Sequence, residues 1–140
     1  MAHDELEQKV AQLTEELREA NDELERLSRQ DSLTGLANRR RFDPDLREEW
    51  LRARRSGEPL TLVMCDLDYF KAYNDRYGHT RGDEVLVKVA RVVQSELRRS
   101  TDLAARYGGE EYALILPNTS AADAQAVLAQ IRAGLASLGL

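Results

Sequence analysis

The stretch Arg106-Tyr107-Gly108-Gly109-Glu110-Glu111-Tyr112 decides how this chain is read. Ahead of it stands Asp102-Leu103-Ala104-Ala105, and after it Tyr112-Ala113-Leu114-Ile115-Leu116-Pro117. Two short apolar runs around a Gly-Gly pair predict a β-hairpin, because glycine accepts the positive φ of the tight primed turns. Glu110 and Glu111 would then stand at an exposed tip. Taken alone, the stretch fits an ordinary hairpin with solvated charges as well as it fits a site. A second acidic cluster, Asp66-Leu67-Asp68, ends another apolar run, Leu60-Thr61-Leu62-Val63-Met64-Cys65. Carboxylates at two strand ends are what a divalent-metal phosphoryl-transfer site needs, so the two clusters are expected to converge.

Working outward, the run from Leu60 to Cys65 reads as a strand buried on both faces. Asp68 can cap a short helix through about Tyr77, leaving the N–H groups of Tyr69, Phe70 and Lys71 facing the strand end. Those amides with Lys71 make a phosphate cradle, although any one lysine is more commonly a surface lysine. Gly78-His79-Thr80-Arg81-Gly82 reads as a loop, where a histidine is more often hydrogen-bonded than a ligand. A helix from about Asp83 to Arg99 follows, with Leu86, Val89, Ala90, Val93 and Leu97 on one face. Asn38 caps a helix to about Arg55 that Gly57 and Pro59 end, and Asn118-Thr119-Ser120 caps a last helix from Ala121 to about Leu138. Beyond the first two helices the order is βααββα. A ferredoxin-like core would need one more strand.

The N-terminal part is different in kind. Leu6, Val10, Leu13, Leu17, Ala20, Leu24 and Leu27 recur in alternating steps of four and three, with no Gly or Pro between them. A narrow apolar seam on an otherwise charged helix implies a coiled coil, the alternative being an amphipathic helix packed on its own domain. The seam stops at Asp31, so residues 1–30 read as a stalk and residues 31–140 as a domain. Residues 1–30 hold nine acids and four bases, the whole of the net charge of −5. The rest is balanced, and neither part has the basic footprint that nucleic acid requires. No run has the length and apolarity of a signal peptide or membrane span, so no membrane partner is expected. The single cysteine, Cys65, excludes an internal disulfide and fits a reducing, cytoplasmic compartment.

Five motifs occur in register: Asp31-Ser-Leu-Thr-Gly-Leu-Ala-Asn-Arg-Arg40, Asp66-Leu-Asp-Tyr-Phe-Lys71, Asn74-Asp75 with Gly78-His79, Gly82-Asp83, and Arg106 to Tyr112. Together they resemble the GGDEF domain of diguanylate cyclases, most closely response-regulator cyclases with a coiled-coil stalk. The resemblance covers about Asp31 to Leu140. It implies a palm-like α/β fold and the condensation of two GTP into cyclic di-GMP with release of two pyrophosphates. It implies Mg²⁺ (or Mn²⁺) held by Asp66, the Leu67 carbonyl and Glu110, with Glu110 and Glu111 as catalytic carboxylates. Asn74 and Asp83 match the guanine-reading pair, and Lys71 with the Tyr69 and Phe70 amides matches the phosphate cradle. Gly108 and Gly109 match positions that keep side chains away from the nucleotide. Tyr112 stands where phenylalanine is usual, a change expected to be tolerated.

The resemblance further implies two domains facing each other, since one half-site holds one GTP. A homodimer through the stalk would supply this, with Asp31 to Asn38 as the joint that transmits stalk geometry. Arg99 and Asp102 fit the family's RxxD site, which binds the product cyclic di-GMP as an inhibitor. From spacing alone they read as an arginine closing a helix and an aspartate opening a strand. The family continues several dozen residues past Leu140 with the strand that would lie beside Leu60–Cys65, leaving that edge bare here. Two other readings compete: a module that binds cyclic di-GMP or GTP without turnover, and a dimerising stalk with an inert domain.

Overall fold

The apolar run Tyr112–Leu116 is almost wholly removed from solvent, and the rest of the domain is arranged around it. The computed structural model of the chain describes residues 2–139; Met1 and Leu140, the outer ends of the two expected units, lie outside them. The elements are α1 (Ala2–Leu27), α2 (Arg39–Ser56), β1 (Leu60–Asp66), α3 (Phe70–Tyr77), α4 (His79–Glu96), β2 (Leu103–Arg106), β3 (Glu111–Pro117) and α5 (Ala121–Ser137). The strands form one antiparallel sheet in the order β1-β3-β2. In the central strand β3, Cα partners run from Leu60↔Pro117 to Asp66↔Glu111 on one side, and from Leu103↔Ile115 to Arg106↔Tyr112 on the other.

Side chains alternate across a strand, so β3 feeds two cores. Tyr112, Leu114 and Leu116 face α3, α4 and α5, joining Phe70, Leu86, Val89, Val93 and Ile131. Ala113 and Ile115 face α2, joining Phe42, Leu46, Leu60 and Leu103. On the first face, α4 and α5 approach closely: a Cβ added at Gly134 would lie 2.6 Å from Val92 Cγ1. Leu60–Cys65 is not buried on both faces as its composition suggested. β1 has only β3 as a neighbour, α2 covers the far side of the sheet, and Leu62 and Met64 on the α2 face are about half exposed.

The caps are mixed. Asn38 accepts from the Arg41 amide, Gly57 takes the left-handed conformation that ends α2, and Ser120 accepts from the Asp123 amide. Asp68 caps nothing: the residue before α3 is Tyr69, at φ 61°, with no side-chain cap. The expected loop Gly78–Gly82 is shorter than its glycines suggested. Gly78 alone, at φ 89°, makes the break, and α4 starts at His79. α4 also ends at Glu96, short of Arg99. α1 is a continuous helix whose seam residues Leu6, Val10, Leu13, Leu17, Leu24 and Leu27 are exposed in the single chain. No helix among the described residues is long and apolar enough to cross a membrane.

Candidate functional site

Asp66 and Glu111 are Cα partners at the last rung of the β1–β3 ladder, and the Leu67 amide donates to the Glu110 carbonyl at 3.3 Å. The two acidic segments, more than forty residues apart in sequence, thus meet at one end of the sheet. Opposite residues of an antiparallel pair share a face, so Asp66 is set against Glu111, with Glu110 one step on beside Leu67. Within the described residues none of these three carboxylates has an ion pair or a side-chain hydrogen bond. Like charges placed opposite each other are destabilising unless something positive stands between them. Among the described residues no group of three or more His, Cys, Asp or Glu is gathered as a ready metal cluster. The set is two carboxylate positions and the Leu67 carbonyl: hard oxygen donors that suit Mg²⁺ when the remaining positions go to phosphate and water.

The hairpin is present, but not for the reason its glycines suggested. Neither Gly108 nor Gly109 has a positive φ. A Cβ at Gly109 would meet nothing within 4 Å, and one at Gly108 would only touch the Glu111 carboxyl carbon at 3.4 Å. The chain's own packing therefore gives no reason for glycine at position 109, and little at 108. Arg106 holds the tip instead, donating from Nε and Nη2 to the Gly109 carbonyl at 3.0 and 2.8 Å.

The same guanidinium reaches back to the joint, with Arg106 Nη1 3.3 Å from both Asp31 oxygens. Asp31 Oδ2 also accepts from the Thr34 amide at 2.9 Å and from its hydroxyl at 2.7 Å. Burial by itself would raise the Asp31 carboxyl; the Thr34 hydrogen bonds and the Arg106 charge outweigh it and hold the group below the usual carboxylate range. The joint is also sewn to the free side of β2: the Ala37 amide donates to the Ala104 carbonyl, and the Arg106 amide to the Ala37 carbonyl. Sequence reasoning missed this link, because Asp31 and Arg106 are 75 residues apart. The signal available was an arginine and an aspartate opening two of the motifs.

Past Asp66 the chain turns at Tyr69, a non-glycine residue in the left-handed region, where strain is concentrated at functional sites. The turn places Phe70 and Lys71 at the start of α3, close to the strand end; Phe70 is buried and Lys71 exposed. Asn74, on α3, lies against Gly82 in the first turn of α4, and Asp83 is exposed one residue further on. His79, the first residue of α4, is exposed. Tyr112 is fully buried, and its hydroxyl donates to the Leu86 carbonyl of α4 at 2.7 Å. Burial pushes that hydroxyl well above the usual tyrosine range, so it remains a donor. A phenylalanine could not make this bond.

Arg99 and Asp102 lie near the other end of the sheet and are not brought to the acidic site. Arg99 pairs with Asp102 through two hydrogen bonds, at 2.7 and 3.2 Å. Its Nη2 also donates to the Pro117 carbonyl at 2.8 Å and to the Thr119 hydroxyl. Arg99 borders a cavity of about 330 Å³ between the end of α2 and the start of β1.

Residues 28–139 match the family described as diguanylate cyclase, GGDEF domain. The chain is 38% identical over 129 residues to the probable diguanylate cyclase DgcC of Escherichia coli K12, covering 92% of this chain and 34% of that protein. It thus spans about a third of that relative's length. Among solved structures it is similar to the diguanylate cyclase SiaD in complex with its activator SiaC from Pseudomonas aeruginosa (TM-score 0.73, 45% identity, 91% of this chain and 50% of that one). It is also similar to the coiled coil and GGDEF domain of DgcB from Caulobacter crescentus in complex with cyclic di-GMP (TM-score 0.72, 37% identity, 90% of this chain and 67% of that one).

Proposed function

Because the chain belongs to the diguanylate cyclase GGDEF-domain family, we propose that it joins two GTP molecules into cyclic di-GMP, releasing two pyrophosphates. The observation that carries this reading is the meeting of Asp66 and Leu67 with Glu110 and Glu111 at one strand end, without a counter-charge. Asp66, Glu110 and the Leu67 carbonyl would hold Mg²⁺ or Mn²⁺. When bound there, the metal polarises the α-phosphate and lowers the pKa of the attacking 3′-hydroxyl. Glu110 receives the hydroxyl proton, and Glu111 holds the second negative charge beside it. The 3′-oxygen forms its bond to the α-phosphorus as the bond to pyrophosphate breaks, and the same step in reverse partnership closes the ring.

Lys71 and the Tyr69 and Phe70 amides hold the phosphates, and the strained turn at Tyr69 is consistent with that placement. Gly108 and Gly109 leave room for the nucleotide, which gives their lack of side chains a purpose that the chain's own packing does not. Asn74 and Asp83 read guanine. The substrate and the unpaired Cys65 support a cytoplasmic site of action.

One domain holds one GTP, so two must face each other. The exposed seam of α1 supports a homodimer of the response-regulator stalk type, in which tethering raises the local concentration of the second domain to roughly the millimolar range. Arg99 and Asp102 would bind cyclic di-GMP as inhibitor once their mutual pair opens.

The test is to incubate the chain with GTP and Mg²⁺ beside a Glu110→Gln variant and separate the nucleotides. Cyclic di-GMP and pyrophosphate should appear only with the parent chain, and more than linearly with its concentration while dimers are scarce. GTP bound but returned unchanged at every chain concentration would replace this reading with that of a non-catalytic binding module.

A further inference from the structure

Glycine is the poorest helix former after proline, yet Gly82 stands in the first turn of α4 without the positive φ that would require it. The space its side chain would fill is taken. A Cβ at Gly82 would overlap Asn74 Oδ1 and lie 2.8 Å from Asn74 Cγ and 3.3 Å from Nδ2. Because Cγ itself is in the way, exchanging the oxygen and nitrogen ends of the amide does not relieve the overlap. The amide end of the Asn74 side chain would have to leave this seat.

In this seat the end of the amide turned inward is the oxygen. Asn74 Oδ1 is buried and accepts no hydrogen bond, the only side-chain atom in that condition among the described residues. With the oxygen turned in against Gly82, the outward end is Nδ2, which carries two donors and no acceptor. A base edge facing Asn74 must therefore present an acceptor. Guanine presents O6 at that edge, and adenine presents an amino group that would set donor against donor. Asp83, next to Gly82 in the chain and exposed, is acceptor-only when ionised and suits the guanine N1–H and N2 amino group.

We infer that Gly82 is a positioning residue for base selection: its missing side chain seats the Asn74 oxygen and so fixes the amide donors toward guanine O6. The inference rests on the guanine-reading role proposed above. It narrows that role: Asn74 contributes donors only, and the O6 preference depends on a residue that never touches the base.

The test measures equilibrium binding of GDP, 6-thio-GDP and IDP, none of which can release pyrophosphate, to the full chain and to Gly82→Ala. 6-thio-GDP keeps N1–H and the 2-amino group but replaces O6 by a poor acceptor; IDP keeps O6 and lacks the 2-amino group. The parent chain should prefer GDP over 6-thio-GDP by roughly fivefold, the weight of one net hydrogen bond. In Gly82→Ala that ratio should fall close to one, while the GDP-to-IDP ratio set by Asp83 stays as it was. A variant that keeps the full GDP-to-6-thio-GDP ratio overturns the inference. A parent chain with no preference for GDP over either analogue overturns the guanine-reading role itself, a separate result.

Thermal unfolding provides the second measurement. Alanine is the better helix former, so Gly82→Ala should raise Tm in an Asn74→Ala background and raise it by several degrees less, or lower it, in the parent chain, where the Asn74 amide must leave its seat. An equal change of Tm in both backgrounds, or failure of both to fold, shows that Gly82 does not act through Asn74 and sinks the proposal.

Discussion

At the Pro117 end of the sheet one arginine ties several polar groups together; at the Glu111 end, about 20 Å away along β3, several have no protein partner. Near Pro117, Arg99 satisfies Asp102, the Pro117 carbonyl and Thr119 together. Thr61 donates to the Thr119 carbonyl at 2.7 Å, and the buried Thr119 donates its amide to the Pro59 carbonyl at 3.1 Å. Near Glu111 three carboxylates stand without protein partners and Asn74 buries an unmatched oxygen; left-handed backbone occurs at both ends, at Tyr69 (φ 61°) and at Asn118 (φ 55°). Asp66 and Glu111 are exposed and water solvates them, but the facing like charges still repel, and the buried Asn74 oxygen goes unmatched at a cost in stability. The contrast separates the part of the sheet that holds the fold from the part proposed to meet the nucleotide.

Changes at the two ends should therefore act on different observables. The largest effect belongs to the open end: Asp66→Asn should lower turnover of GTP by roughly a hundredfold to a thousandfold and leave Tm unchanged or slightly raised, as charge repulsion with Glu111 is relieved. A fall in Tm matching the loss of activity would break the contrast. Next comes the closed end. Arg99→Ala leaves the Asp102 side chain, only 5% exposed, without its counter-charge. The loss should be about 2 kcal/mol, held below the value for a fully buried pair because Arg99 is itself half exposed. That corresponds to a Tm drop of roughly 10 °C in a melting curve.

The joint lies between these extremes. Asp31→Asn should cost about 1 kcal/mol at neutral pH. The folded carboxyl lies below its ordinary value of 3.8, so its contribution is complete above that value and is lost as pH falls through the folded pKa. Melting curves of parent and variant should thus separate at pH 7 and merge under more acid conditions. The smallest effect is at Tyr112→Phe, which forfeits one hydrogen bond to Leu86 and should cost roughly 0.5–1 kcal/mol, the same at pH 5 and pH 8 because the hydroxyl stays protonated throughout.

Much of this was legible in the residues. The hairpin, the caps at Asn38 and Ser120, the two amphipathic helices over the sheet and the meeting of Asp66 with the Glu110–Glu111 pair all follow from period, turn chemistry and strand ends. Where reading failed, a longer-range packing relation had overruled a local rule. Gly82 was taken for a loop residue because glycine punctuates loops; it is helical, and Asn74 fills the space its side chain would need. Asp68 is a good cap by type, but the turn after β1 places Tyr69 at that position. The run from Leu60 to Cys65 is apolar throughout, yet composition cannot say how many neighbours a strand has. The Asp31–Arg106 link was out of reach because no local pattern connects residues that fold together from opposite ends of the domain.

The joint adds a mechanical consequence. Twenty-six helical residues form a rod about 39 Å long at 1.5 Å each, ending beside a segment pinned to β2 and, through one guanidinium, to the hairpin tip. In the proposed dimer such a rod works as a lever: a swing of about 5° at its base shifts the far end by roughly 3 Å. Run the other way, a modest displacement imposed at the distant end arrives at Asp31 as a small, geared-down rotation.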